Sequence, residues 1–141
     1  MGTGITCVLA WTSVWLRAHA NNQYVDADGA GSFPLIANRA APGVWETYDV
    51  LGLGGGNIAL RAHANQDIVT ADNAGASPLI ANRVAIGPWE TFLLVRNGDG
   101  SVSLRAAANG RYVTAENGGA NALIANRTAI GVWESFDLIG A

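Results

Sequence analysis

The sequence predicts an all-β barrel built from three equivalent four-stranded repeats. Leu-Ile-Ala-Asn-Arg begins at Leu35, Leu79 and Leu123, so it recurs every 44 residues (79 − 35 = 44; 123 − 79 = 44). Trp-Glu-Thr/Ser-Tyr/Phe and Leu-Arg-Ala recur with the same period. Short β-favouring runs alternate with Gly and Asn, and none keeps a helical period for three turns. Such a period is typical of repeated supersecondary units.

The third repeat predicts four strands. Its first run alternates apolar and polar residues, and Asn109-Gly110 then supplies a hairpin turn. A run of β-favouring residues follows, and Asn117-Gly118-Gly119 ends it. The predicted strands are 102–106, 112–115, 123–127 and 135–138. Three such repeats predict about twelve strands (4 × 3).

Three repeats of this kind close best as a barrel with pseudo-threefold symmetry, the β-trefoil. A propeller generally needs four to eight blades, and an open solenoid leaves unpaired edges. We expect a single domain over residues 1–141, with repeats at about 14–57, 58–101 and 102–141. Residues 5–9 align with 49–53 and are predicted to close the barrel.

Strand alternation also predicts the core. The large residues at the fourth strands, Tyr48, Phe92 and Phe136, are expected to fill the barrel. The inward positions of the first strands are predicted to be Val14, Leu16, Ala18, Ile58, Leu60, Ala62, Val102, Leu104 and Ala106.

Composition excludes several classes of function. All eight basic residues are Arg and the net charge is −3, so we expect neither nucleic acid nor a membrane surface as partner. No apolar run reaches the ~18 residues of a membrane span. Cys7 is the only cysteine, and the two His residues show no zinc-type spacing, so we expect no metal and no cofactor. No nucleophile elbow is present, so we expect a protein without catalytic activity.

Three tryptophans are the main candidates for function. Trp45, Trp89 and Trp133 each follow a glycine-containing turn, and counting back three places from the core aromatic puts them on the outward side of the strand. A flat indole face suits the apolar C–H face of a sugar ring. The alternative is that each Trp fills a groove between adjacent repeats.

Polar residues next to these tryptophans are further candidates, each with a structural alternative. Glu46, Glu90 and Glu134 could accept sugar hydroxyls, or could satisfy turn amides or pair with an Arg. The Asn-Arg pairs could donate to a ligand or hold the following loop; they are Asn38 and Arg39, Asn82 and Arg83, and Asn126 and Arg127. The acids Asp28, Asp72 and Glu116 fit turn chemistry by default. One such site would bind near ~1 mM, and three would gain avidity on a polysaccharide.

The run from Tyr112 through Leu123-Ile-Ala-Asn-Arg127 to Trp133-Glu134-Ser-Phe136 resembles the fascin-like subset of β-trefoils. More closely, residues 14–141 resemble carbohydrate-binding modules of family 92, found beside bacterial secreted glycan-degrading enzymes. The resemblance implies three Trp/Glu sites for β-1,6- and β-1,3-linked glucans. It further implies a secreted, monomeric module taken from a larger glycan-active enzyme. Fascin-type repeats also place an acid after the Trp, so an actin- or protein-binding trefoil remains the alternative.

The repeats differ in detail. The first has Asp26 where the others have Thr70 and Thr114, and the second has Ile68 where the others have Tyr24 and Tyr112. We therefore expect the three sites to differ in affinity. Trp11 and Trp15 have no equivalents in the other repeats and are assigned to end closure or to a single site.

Overall fold

A computed structural model describes residues 13–141 of the chain. It contains twelve strands, four per repeat, and the predicted 102–106, 112–115 and 123–127 are reproduced. The predicted closing segment 5–9, Cys7 and Trp11 lie outside the described residues. The strands are β1 Ser13–Ala18, β2 Tyr24–Ala27, β3 Leu35–Arg39, β4 Thr47–Gly54, β5 Asn57–Ala62, β6 Ile68–Ala71, β7 Leu79–Arg83, β8 Phe92–Arg96, β9 Val102–Ala106, β10 Tyr112–Ala115, β11 Leu123–Arg127 and β12 Phe136–Gly140.

The first and fourth strands of each repeat form a closed antiparallel barrel. Its six strands pair in the order β1-β4-β5-β8-β9-β12, and β12 returns to β1. The three equivalent junctions share one register, in which each core aromatic is paired with an alanine. These pairs are Phe136 with Ala18, Tyr48 with Ala62, and Phe92 with Ala106. This closed, pseudo-threefold arrangement is the predicted β-trefoil.

The second and third strands of each repeat form three hairpins that cap the barrel. The hairpins are β2-β3, β6-β7 and β10-β11, and each carries a register shift near its start. Neighbouring repeats approach closely at glycine, where the β2-β3 loop of the first repeat meets the β5-β6 turn of the second. Gly31 has a φ of 93°, and a Cβ on it would lie 2.1 Å from Asn65 Nδ2, so a side chain here would separate two repeats.

The helical segments within residues 13–141 are six short 3-10 turns. Three of them, Asp28–Gly31, Asn73–Gly75 and Glu116–Gly119, lie inside the capping hairpins, and we call them the acid turns. The other three, Val44–Glu46, Pro88–Glu90 and Val132–Glu134, precede the fourth strands, and we call them the Trp turns. No helix in this part of the chain is long and apolar enough to cross a membrane.

The core lies where alternation predicts it. Tyr48, Phe92 and Phe136 are completely buried. All nine predicted inward residues of the first strands are also buried, with at most 3% of their surface exposed. Because these residues come from all three repeats, each repeat depends on the other two for its apolar packing.

Ion pairs on the outer side of the barrel join repeats at two of the three junctions. Asp49 accepts hydrogen bonds from Arg61 at 2.7 Å and Ser13 at 2.8 Å, and His63 Nε2 lies 2.7 Å from it. Burial of the Asp49 carboxyl opposes ionisation, but hydrogen bonds from His63, Arg61 and Ser13 outweigh it and hold its pKa at about 2. We regard this cluster as scaffold, because Asp49 is engaged by three side chains of the cluster itself.

Trp15, which has no equivalent in the other repeats, lies at the junction between the first and last strands. It occupies β1, opposite Ile139 of β12 and Thr47 of β4. Its indole Nε1–H donates to Thr47 Oγ1 at 3.1 Å, and its ring meets Tyr24 edge to face with centroids 6.1 Å apart. The pairing with Ile139 fits end closure, and the side-chain contacts with Thr47 and Tyr24 fit the other predicted role, a contribution to a single site in the first repeat.

Candidate functional site

The three candidate tryptophans lie at the middle of the Trp turns. Each of Trp45, Trp89 and Trp133 exposes 38% of its surface, although all are large aromatic residues. The predicted exposure of these rings is correct, but their predicted location on the outward side of the fourth strand is wrong. The strand begins only after the turn, at Thr47 in the first repeat. The rings are exposed because a 3-10 turn, and not strand alternation, directs them.

A carboxylate holds each Trp turn together. In the second repeat, Glu90 Oε1 accepts the backbone N–H of Gly87 at 2.7 Å, and Thr91 Oγ1 donates to the Gly87 carbonyl at 2.9 Å. A Cβ on Gly87 would lie 3.3 Å from Glu90 Oε1, so the close approach favours glycine. The same bonds recur in the other repeats, where Gly43 donates to Glu46 at 2.6 Å and Gly131 to Glu134 at 2.7 Å.

The second oxygen of this carboxylate is also engaged. Thr70 Oγ1 donates to Glu90 Oε2 at 2.6 Å, and Thr114 Oγ1 donates to Glu134 Oε2 at 2.6 Å. The three glutamates expose only 5–6% of their surface. Of the roles that the sequence left open, the structure therefore gives the Glu the turn-holding one. Its direct contact with a sugar, which the family resemblance implies, stays a prediction.

Replacing Glu90 by alanine tests which role dominates. We expect the free energy of unfolding to fall by ~2–4 kcal/mol, because the partly buried Gly87 N–H and the fully buried Thr70 hydroxyl both lose their acceptor. Urea denaturation measures this loss. Asp72→Ala, which removes a half-exposed acid of the same repeat, is the matched control and should cost less than ~1 kcal/mol. Unchanged stability in Glu90→Ala would contradict the turn-holding role.

An acid turn lies against each Trp turn. In the third repeat the indole of Trp133 packs over Gly118, where an added Cβ would lie 3.9 Å from Cζ2 and Nε1. Ala30 and Ala74 hold the equivalent positions, with φ values of 57° and 55° in the left-handed region. Each exposed ring therefore adjoins an acid turn, in which the acid is either the first residue, as with Asp28 and Glu116, or the residue just before it, as with Asp72.

The Asn-Arg pairs meet the acid turns at the surface. Arg83 Nη2 lies 3.0 Å from Asp72 Oδ1, and its Nη1 donates to Asn82 Oδ1 at 2.6 Å. In the third repeat Arg127 pairs with Glu116 and with Asn126 in the same way. These groups are between 29% and 37% exposed in their side chains. These Asn-Arg pairs hold the loop, which is the second of the two roles that the sequence left open. Their partly exposed side chains still present hydrogen-bond donors and acceptors to solvent.

The first repeat differs at this point. Arg39 lies 3.4 Å from Asp28, 3.2 Å from Asp26 and 3.8 Å from Glu46, so one guanidinium faces three carboxyl groups. Asn38 is exposed to solvent.

The surface acid of each repeat is a candidate that sequence reasoning missed. The sequence predicts turn chemistry for Asp28, Asp72 and Glu116, yet each also pairs with an Arg eleven residues later. The acid turns beside these residues contact the Trp turns. The constant spacing between the acid and the Arg was the available signal. Each repeat therefore presents an exposed indole, a carboxylate and a guanidinium, and the residues described here contain no cluster of His, Cys, Asp and Glu that could hold a metal.

Comparison of folds shows the same architecture in proteins of very different sequence. A designed threefold-symmetric protein, ThreeFoil, matches with a TM-score of 0.82 and 21% identity over 92% of this chain and 99% of its own. The lectin of Polyporus squamosus matches at 0.80 and 12% over 94% of this chain. An exo-β-1,3-galactanase from Clostridium thermocellum, 1,3Gal43A, matches at 0.80 and 12% over 96% of this chain. The chain spans 50% of the lectin and 31% of the galactanase.

No family model and no curated protein sequence matches the chain. At these identities, the structural likeness establishes the β-trefoil fold alone.

Proposed function

We propose that this protein is a non-catalytic glycan-binding module with three equivalent shallow sites, and that its ligands are β-1,6- or β-1,3-linked glucans. The observation that carries the proposal is the threefold presentation of an indole ring, 38% exposed in every repeat. Exposure of three such rings at equivalent places is costly unless a ligand covers them.

Each site offers the chemistry that a pyranose requires. The indole gives a flat apolar surface for the C–H face of the ring. The Arg83–Asp72 pair and its equivalents add a donor and an acceptor of opposite charge for the hydroxyl rim, and charge-assisted hydrogen bonds are the stronger kind. Glu90 holds the turn that carries the ring, with Asn82 beside the guanidinium.

Two proteins of similar fold support a carbohydrate as the partner. One is a lectin bound to a sialylated trisaccharide epitope, and the other is an exo-β-1,3-galactanase. The choice of β-glucans comes from the resemblance to family 92. By the same resemblance, the module belongs to a secreted bacterial protein and acts as a monomer attached to a glycan-active enzyme.

Valency makes weak sites useful. A shallow site built from one ring and one ion pair corresponds to ~1 mM, or about −4 kcal/mol. A polysaccharide that engages two or three sites at once is held by avidity, without any new contact. The retention of exposed residues in all three repeats, and not only of core residues, favours this mode of binding.

Native electrophoresis in gels containing a polysaccharide tests the proposal. We expect retardation in gels with pustulan, a β-1,6-glucan, or laminarin, a β-1,3-glucan, and unchanged migration with dextran, an α-glucan. Migration unchanged in all three gels would refute the glycan-binding function. Retardation by dextran alone would refute the choice of linkage while leaving a glycan as ligand.

The alternative, an actin-binding module, fits the surface poorly. Actin filaments are acidic, and this chain has a net charge of −3 and no lysine. Co-sedimentation with filamentous actin at low salt is expected to leave the protein in the supernatant, and clear pelleting would favour the alternative.

A further inference from the structure

Position 26 is where the first repeat departs from the threefold pattern at the base of a site. In the other repeats Thr70 and Thr114 occupy this position, and each donates its hydroxyl hydrogen to Oε2 of the turn-holding Glu. The first repeat has Asp26, whose carboxylate has no hydrogen to donate. The Glu46 carboxylate therefore lacks its usual donor unless Asp26 carries a proton.

The surroundings of Asp26 supply no other donor that suffices. Its side chain is completely buried, and neither of its oxygens accepts a hydrogen bond of good geometry. Arg39 reaches Asp26 Oδ2 at 3.2 Å, but the same guanidinium serves two other carboxyl groups. A buried carboxyl that faces a second carboxyl, with no donor between them, is costly when both are ionised.

The charged and titratable groups around Asp26 come from four elements. The acid turn supplies Asp28, β3 supplies Arg39, and the first Trp turn supplies Glu46. From β4, the buried Tyr48 donates its hydroxyl hydrogen to the carbonyl of Val25 at 3.3 Å, and burial together with the charges of Asp26 and Glu46 raises its pKa. One cation therefore stands against three carboxyl groups.

These surroundings set the protonation of Asp26. Burial raises the pKa of Asp26 to about 7, aided by the hydrogen bonds that its protonated form can donate to Glu46 and Asp28 and opposed by the charge of Arg39. Below that pH, the protonated Asp26 can donate to Glu46 as Thr70 donates to Glu90. Above it, two carboxylates face each other beneath the Trp45 turn.

We propose that Asp26 is a positioning residue that shares a proton with Glu46 and thereby makes the Trp45 site respond to pH, while the Trp89 and Trp133 sites do not. The binding consequence rests on the proposed glycan-binding function, whereas the shared proton does not. A group whose pKa is raised on folding stabilises the folded state at low pH. That contribution is lost as the pH rises towards and through about 7.

The proton can be followed without any ligand through the three glycines of the Trp turns. The backbone N–H groups of Gly43, Gly87 and Gly131 each donate to the turn-holding Glu. In ¹H–¹⁵N NMR spectra recorded from about pH 5 to 9, the Gly43 amide should shift with a midpoint near 7 and the Gly87 amide should not. An unshifted Gly43 amide would overturn the proposal.

Two of the Trp turns lie near a histidine, and the chain provides a control for its influence. The backbone N–H of His63 donates to Thr47 beside the first Trp turn, and that of His19 donates to Ser135 beside the third, both at 3.0 Å. The third repeat has Thr114 in place of Asp26, so the chemical shift of the Gly131 amide shows the effect of a nearby His alone. In Asp26→Thr, which copies the other repeats, the Gly43 shift should vanish. A shift that persists in Asp26→Thr would refute the assignment to Asp26.

Binding is measured site by site with gentiobiose, a β-1,6-linked disaccharide of glucose. The indole Nε1–H signals of Trp45, Trp89 and Trp133 report the three sites separately. We expect the Kd at Trp45 to be roughly fivefold weaker at about pH 8.5 than at about pH 5.5, with the other two unchanged. In Asp26→Thr, the Kd at Trp45 should become independent of pH.

The two parts of the proposal can fail separately. A titrating Gly43 amide with a Kd at Trp45 that does not change with pH would overturn the positioning role. No response of any indole to gentiobiose, pustulan or laminarin would refute the proposed function and this binding consequence. The Gly43 titration would still decide whether the proton is shared.

Discussion

Replacing Trp45, Trp89 and Trp133 together by alanine should abolish retardation of the protein in pustulan gels. The indoles provide the apolar surface of every site, so no repeat could then hold a sugar ring. Single replacements should weaken retention only in part, because two sites still give avidity. From the single to the triple variant we expect the apparent affinity for the polysaccharide to fall at least ~100-fold.

A matched control separates this loss from unfolding. Val84→Ala removes an apolar side chain that is 92% exposed, and it should leave both retardation and stability unchanged. The triple variant should keep its β-sheet circular dichroism spectrum, since the Trp turns are closed by Glu46 and its equivalents and not by the rings. Retardation that survives in a folded triple variant would mean that the tryptophans do not bind the glycan.

Phe92→Ala should have the largest effect on stability. The ring is completely buried at the centre of the barrel, and its removal leaves a cavity that residues from three repeats cannot fill. We expect the free energy of unfolding to fall by ~3–5 kcal/mol, measured by urea denaturation with the slope of the transition unchanged.

Leu93→Ala on the same strand is the control. Leu93 points to the outer side of the barrel, where it pairs with Asn57 and Arg105, and it is only partly buried. Its replacement should cost ~1 kcal/mol or less. Equal losses for the two variants would contradict the placement of Phe92 as the central packing residue.

Periodicity explains why the fold could be read from the sequence. The 44-residue period fixed the number of units, and alternation along 102–106 placed Val102, Leu104 and Ala106 in the core. Both signals depend on backbone geometry that a strand imposes on every second residue. The predicted fourth strand, 135–138, begins one residue too early, because the Ser135 N–H still closes the preceding turn by donating to the Val132 carbonyl, and it ends two residues before Gly140.

The site was harder to predict because it is built from turns. The exposure of Trp45 depends on a 3-10 turn, and no periodic pattern in the sequence predicts that turn. Glu46 accepts a hydrogen bond from the Gly43 N–H, three residues earlier in the chain. Asp26, which is twenty residues away in sequence, lies beside the same carboxyl group. Contacts of this kind follow from the packing of the hairpins against the barrel. The sequence shows only that acids, arginines and tryptophans recur with the same period.

The pairing of β12 with β1 has a consequence for the integrity of the chain. Within residues 13–141, this junction has no hairpin turn joining its strands, yet Phe136 and Ala18 keep the register that Tyr48 and Ala62 keep across a covalent turn. Backbone hydrogen bonds and side-chain packing therefore suffice to seal a junction. A proteolytic nick in the exposed glycine loop at 54–56 should leave two fragments that remain associated as one folded body.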